Sequence, residues 1–184
     1  MESKHKNILI GALLAVVFVM AVGYAAFAQT LTINGSAEIT SSWDVRYETT
    51  QKTGQGTAGF VGGQTPSGTI TYDNADHNAN ISATLYQPGD KVVFTLTIKN
   101  YGTIPATVGA PTVQMVGDED ENPGDLVVRK GNIKFTVTPA SGAKMEQNGT
   151  DTMTVTAEFI SSATSVGTAT SADMTVNMSA SQAA

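Results

Sequence analysis

The chain has no cysteine, which excludes disulfides, thiolate metal sites and a cysteine nucleophile together. Histidine is nearly as scarce, with His5 and His77 the whole supply. Catalytic zinc takes three protein ligands, commonly two of them His, plus a base. No H-E-x-x-H occurs, and the same shortage removes a Ser-His-Asp triad in its usual form. Charge is sparse too: 14% of residues are Asp, Glu, Lys or Arg, the net charge is −6, and no basic run exists. That balance argues against a nucleic-acid partner. What the chain has instead is hydroxyl and glycine, with 26 Thr, 13 Ser and 18 Gly in 184 residues. Such a composition suits one all-β, surface-type domain and not a helical enzyme.

Long apolar runs are absent except at the start. Residues 8–28 (ILIGALLAVVFVMAVGYAAFA) carry no charge, follow Lys4 and Lys6, and end in Ala26-Phe27-Ala28. A basic start, an apolar core and small residues at the two positions a signal peptidase reads make a signal peptide over 1–28. Cleavage between Ala28 and Gln29 is expected, leaving 29–184 as a single exported domain with only transient membrane contact. The core is long for this role, and about 20 apolar residues also span a bilayer, so an uncleaved N-terminal anchor is the alternative.

Beyond residue 28 the pattern is alternation with period two. Leu31, Ile33, Ala37 and Ile39 share one face of Gln29–Thr40, with Thr, Asn, Ser and Glu38 on the other. The same alternation runs through Val92–Lys99, Ile133–Thr138, Thr152–Phe159 and Met174–Ser179, and more weakly through Trp43–Glu48, Gly68–Tyr72, Asn80–Tyr86, Ala106–Val116 and Asp125–Arg129. Pro88-Gly89-Asp90, Asn100-Tyr101-Gly102, Asn122-Pro123-Gly124-Asp125, Ser141-Gly142 and Asn148-Gly149 supply turn chemistry between them. One-sided alternation with turns predicts a two-sheet antiparallel β-sandwich, jelly-roll or Ig-like. Thr49–Gly68, rich in Gly, Thr and Gln, reads as a long loop, and Trp43 as a core or edge anchor.

The stretch from Leu85 to Ala106 (LYQPGDKVVFTLTIKNYGTIPA) joins a Pro-Gly-Asp turn, an alternating strand and an Asn-x-Gly-Thr turn. It resembles the TasA/camelysin family of exported matrix proteins. Asn148–Phe159 (NGTDTMTVTAEF) is similar to the family's next-to-last strand, and the long uncharged leader to the type cut by a dedicated signal peptidase. The resemblance implies a jelly-roll-like sandwich, secretion and, in fibre-forming members, donor-strand exchange, in which the mature N-terminal strand of one subunit completes a sheet of the next. Gln29–Thr40 is the matching segment here, with Leu31, Ile33, Ala37 and Ile39 as the side chains that would fill pockets. The other expectation for this strand is pairing within its own subunit. Some camelysin relatives are described as metalloproteases, for which this sequence lacks the ligands.

Two oxygen-rich loops invite a hard cation. Asp118, Asp120 and Asn122 begin like an EF-hand loop and Asp125 follows, but Pro123 stands where that loop needs Gly and Arg129 where it needs Glu. The reading left is an irregular calcium turn or a solvated acidic one; no other cofactor is implied. Asp73-Asn74-Ala75-Asp76-His77-Asn78 offers the same two readings. Asp118 and Asp120 as an acid–base pair would sit on one turn with no sign of a cleft, so no enzyme is expected. N-x-S/T triplets occur at Asn34, Asn80, Asn148 and Asn177. The sequence therefore predicts a secreted structural protein, a homopolymeric fibre or surface-layer subunit joined by β-strand addition. The reading from a different class is a membrane-anchored, monomeric Ig-like adhesion module.

Overall fold

The computed structural model describes residues 2–27, 41–60, 63–118, 126–160 and 169–183. The chain divides into two units, 1–39 and 40–184. In the first, α1 (Glu2–Phe27) is a 26-residue helix, about 39 Å long at 1.5 Å per residue. Its window His5–Val22 has a mean hydropathy of 2.0 and exposed side chains, so it is long and apolar enough to cross a membrane.

The second unit is built of short antiparallel strands: β1 (Val45–Tyr47), β2 (Gln55–Thr57), β3 (Ser67–Asp73), β4 (Asn78–Leu85), β5 (Lys91–Asn100), β6 (Ala106–Val108), β7 (Thr112–Gln114), β8 (Val127–Lys130), β9 (Ile133–Thr138), β10 (Thr150–Phe159), β11 (Thr170–Asn177) and β12 (Ala180–Gln182). One sheet has the order β1-β5-β10-β9-β8, with β2 also on β5; a second has the order β3-β4-β11-β7; β12 and β6 form a separate pair. β1 and β2 share one edge of β5, meeting it at Ile98–Asn100 and Lys91–Val93 respectively.

Period two decides which side chains are buried. Val92, Phe94, Leu96 and Ile98 of β5 face inward beside Met153, Val155, Ala157 and Phe159 of β10 and Ile133, Phe135 and Val137 of β9. Across from them stand Ile70, the β4 row Ala79, Ile81, Ala83 and Leu85, and Ala172, Met174 and Val176 of β11, all in one hydrophobic core. Fully burying each Val, Leu, Ile, Met or Phe is worth about 1.5–3 kcal/mol, so this core can hold the fold without cross-links. Outward positions carry hydroxyls and a few charges, such as Glu158 between Lys91 (3.2 Å) and Lys134 (3.6 Å).

The structure departs from the sequence reading in four places. Thr49–Gly68 is not simply a loop: it holds β2, and Thr53 bridges Thr69 of β3. The reason is close approach, since a Cβ on Gly54 or Gly68 would run into the Phe94 ring. Ala106–Val116 splits at Pro111 into β6 and β7, which join different sheets. β12 carried no alternating signal, and β11 ends at Asn177, short of Ser179. Of the two readings of Trp43, core or edge anchor, the core one fails, since it is 45% exposed.

Candidate functional site

Three polar side chains fix the turns around β5 and β10. Asp90, fully buried, accepts from the Gly59 amide through Oδ1 (2.7 Å) and from the Tyr86 and Gln87 amides through Oδ2 (2.8 and 3.1 Å). It closes the Pro88-Gly89-Asp90 turn, where Gly89 takes φ +85°, and pins the β2 segment to it. Asn100, also buried, donates from Nδ2 to the carbonyls of Ile104 (2.8 Å) and Met145 (3.1 Å) and accepts from Gly102 through Oδ1 (3.0 Å). Asp151 is more exposed. What burial it has pushes its carboxyl pKa up, but hydrogen bonds from the Thr152 amide, the Ser141 amide and hydroxyl and the Gly142 amide outweigh that and lower it. Each partner set is main chain or turn, which makes these residues staples of the scaffold.

The sequence-predicted sites fall unevenly. Asp118 Oδ1 accepts from the Arg129 amide (2.9 Å), on the edge strand β8. Asp120, Asn122 and Asp125 lie outside the described residues, as do Leu31, Ile33, Ala37, Ile39, Ala28 and Gln29; Ala26 is in the last turn of α1. Within the 73–78 loop, Asn74, Ala75 and Asp76 all take positive φ. Several of its oxygens are engaged: Asp73 Oδ2 accepts from Asn80 (2.9 Å), Asp76 Oδ2 is 3.7 Å from Arg46, and the Asn74 and Asp76 carbonyls accept from the His77 and Tyr47 amides. Among the described residues no group of three or more His, Cys, Asp or Glu is arranged to hold a metal. Of the N-x-S/T asparagines, Asn148 is exposed with φ +63°, Asn80 is engaged with Asp73 and Thr175, Asn177 lies in β11, and Asn34 is outside the described residues.

Trp43 is held outward by a clamp in which the Tyr101 and Gly102 amides donate to Asp44 O and the Thr103 amide to Ser42 O. Arg46 stands 4.5 Å and Lys99 4.9 Å from the Tyr101 ring centroid. Tyr47 and Tyr72 meet with ring centroids 5.7 Å apart. Burial, then the neighbouring Tyr72, drives the Tyr47 pKa well above the usual phenol range. Burial, then the Asp76 carboxylate, pushes Tyr72 up to about 12. Both phenols are neutral at pH 7.

Among the described residues, a groove of about 610 Å³ runs along β11. β4 pairs with all of β11, Thr170 to Asn177, but on the other side β7 reaches only Thr175–Asn177. Over Thr170–Met174 no described strand covers that side. Successive residues direct their main-chain groups to opposite neighbours, and among the described residues no backbone group pairs with Thr170–Met174 on that side. Met115, Val116, Ala172 and Met174 give it apolar walls, and Val116 is 88% exposed. Lys130 and Asp173 stand among its polar lining. This edge was not legible in the sequence, because it follows from β7 being three residues long beside an eight-residue partner.

Comparison with protein-family models, with curated proteins and with solved structures finds no match.

Proposed function

We propose that this is an exported, non-enzymatic structural protein, a two-sheet β-sandwich of jelly-roll type that assembles with copies of itself by β-strand addition. The observation that carries the reading is the half-covered edge of β11 beside its groove. An open edge captures an extended segment through main-chain hydrogen bonds, while pockets take its alternate side chains. Gln29–Thr40 has the required form: apolar residues at 31, 33, 37 and 39, hydroxyls and amides between them, and no proline. Cleavage after Ala28 would free it to leave its own subunit. The TasA/camelysin-like segments Leu85–Ala106 and Asn148–Phe159 support the same reading.

Deleting Gln29–Ser36 is expected to leave a secreted, folded monomer that no longer polymerises. Unchanged fibres from the deleted chain would overturn the proposal. The second reading, a membrane-anchored monomeric adhesion module, draws on the length and apolarity of α1. N-terminal sequencing and size-exclusion chromatography on one sample separate the two. A start at Gln29 with growth into large species favours the subunit, and an intact leader without self-association favours the anchored module.

A further inference from the structure

The two large sheets share one core, and their outward rows differ in chemistry. On the second sheet the polar groups engage one another: Thr84 bonds Ser171 (2.9 Å), and Asn80 bonds both Asp73 (2.9 Å) and Thr175 (2.7 Å). The charged residues in its strands are Asp73 and Asp173, both acidic. On the first sheet the outward rows are threonine. Register sets Thr97 beside Thr152, Thr154 between Thr95 and Thr138, and Thr156 beside Thr136. All are exposed or half-buried, and among the described residues none of their hydroxyls meets a protein partner. Rows lie about 6.8 Å apart along a strand and strands about 4.8 Å apart, so the hydroxyls form a grid. Bases close this grid at both ends. At one end Lys91, Glu158, Lys134 and Arg129 make a single row across four strands. Glu158 answers the two lysines, while Arg129 makes no ion pair among the described residues. At the other end Arg46 and Lys99 pair across β1 and β5 and stand over the Tyr101 ring. Asp44 and Asp76 answer Arg46, and no carboxylate among the described residues answers Lys99. Asp44 and Glu48 flank β1, but within the strands five bases face Glu158 alone, although 29–184 has 8 basic and 15 acidic residues.

We propose that the outer face of the first sheet binds a linear acidic polysaccharide, with carboxylates at the two basic ends and sugar hydroxyls on the threonine grid. A threonine hydroxyl both donates and accepts, as a sugar hydroxyl does. Lys91 and Lys99 are eight residues apart, about 27 Å along β5, so the face suits an extended polymer and not a small ligand. A second copy fits less well. The acids on the second sheet, Asp73 and Asp173, stand only about 17 Å apart, four residues and two strands from each other. Pressing the two faces together would also bury hydroxyls and amides without partners. Protein interfaces concentrate aromatic and apolar side chains at their centre, where this face has threonine. The proposal goes beyond strand addition and does not depend on it, since it uses a sheet face and not an edge. Its charged part is exposed, so that part acts at low and moderate salt, where screening sets in over about 8–10 Å.

The test is calorimetric titration of the full chain, secreted and processed by its host, with polygalacturonate, poly-glutamate, dextran and duplex DNA. Polygalacturonate is expected to bind. Poly-glutamate, which has the carboxylates without the hydroxyls, and DNA should bind about tenfold more weakly, and dextran, with hydroxyls alone, not measurably. Lys99→Glu combined with Arg129→Glu should weaken polygalacturonate about tenfold at low salt, a difference that high salt erases. Thr95→Val combined with Thr154→Val keeps the side-chain shape, favours the strand and removes two hydroxyls, for a loss of about fivefold at any salt. Acetylation of the wild-type chain covers a variant that does not fold. There the polymer should shield Lys91, Lys99 and Lys134 and leave Lys52 and Lys144 as reactive as before. No binding of polygalacturonate, equal binding of poly-glutamate or DNA, wild-type affinity in either double variant, or even lysine labelling overturns the proposal. Self-association at low salt that Lys99→Glu with Arg129→Glu abolishes and polygalacturonate leaves untouched overturns it too, and gives the face to a second copy. None of these outcomes touches strand addition, which stands or falls on the Gln29–Ser36 deletion.

Discussion

Asp90 and Asn100 sit at the two ends of β5 and do the same job with opposite chemistry. The aspartate gathers amides, three of them, and the asparagine spends both its donor and its acceptor capacity on turn backbone. Asp90→Ala leaves the Gly59, Tyr86 and Gln87 amides without a partner, and a loss of about 3 kcal/mol is expected in denaturant unfolding. Asn100→Ala should cost about 2–4 kcal/mol by the same measurement, since two carbonyls and one amide lose their partner. Asp151 allows a pH test. Its carboxyl pKa is lowered in the folded state, so its contribution is present above the ordinary carboxylate value of about 3.9 and is lost as pH falls through the folded one. The stability gap between wild type and Asp151→Asn should therefore be full at neutral pH and close in acid. The Pro-Gly-Asp and Asn-x-Gly turns were readable from residue type. The partners Gly59 and Met145, tens of residues away, were not, because a hydrogen bond across the fold leaves no local pattern.

At the scale of elements, alternation located β5, β9 and β10 closely, since each buries one face and wets the other, but it placed the start of β11 four residues late and its end two residues late. It failed for β2, whose residues Gln55–Thr57 bury little and owe their pairing to glycines that let the chain approach Phe94. Gly68→Ala is expected to cost about 1–3 kcal/mol through overpacking against that ring, while Phe94→Leu in the same chain should recover part of the loss. Recovery in the double variant, read from unfolding midpoints, checks that the clash is the cause. β12 was missed for a related reason: a three-residue strand, paired with β6 alone among the described strands, offers too few positions to display a period. The open side of β11 likewise depends on the relative lengths of two strands, which no single segment reveals.

For the whole molecule, the alkaline limit of stability has an identifiable source. Tyr47 and Tyr72 hold their protons more tightly folded than unfolded, and the unfolded phenol value is about 10. Their contribution is complete below pH 10 and is lost as pH rises from there through about 12, so unfolding midpoints should fall across that interval. In a near-ultraviolet titration of the five tyrosines, two should ionise late, or together with unfolding.

Strand pairing in the second unit also sets the time at which a core can form. β4 at Asn78–Leu85 has its long partner at Thr170–Asn177, and β5 at Lys91–Asn100 waits for Thr150–Phe159. Contacts so far apart along the chain make folding slow, on the order of milliseconds to seconds for β proteins dominated by non-local pairing. A chain threaded N-terminus first through a pore could not complete the first sheet until Thr150–Phe159 emerged, nor the second until Thr170–Asn177 did. If the chain is exported in that direction, as proposed, topology alone would hold it unfolded through most of the passage.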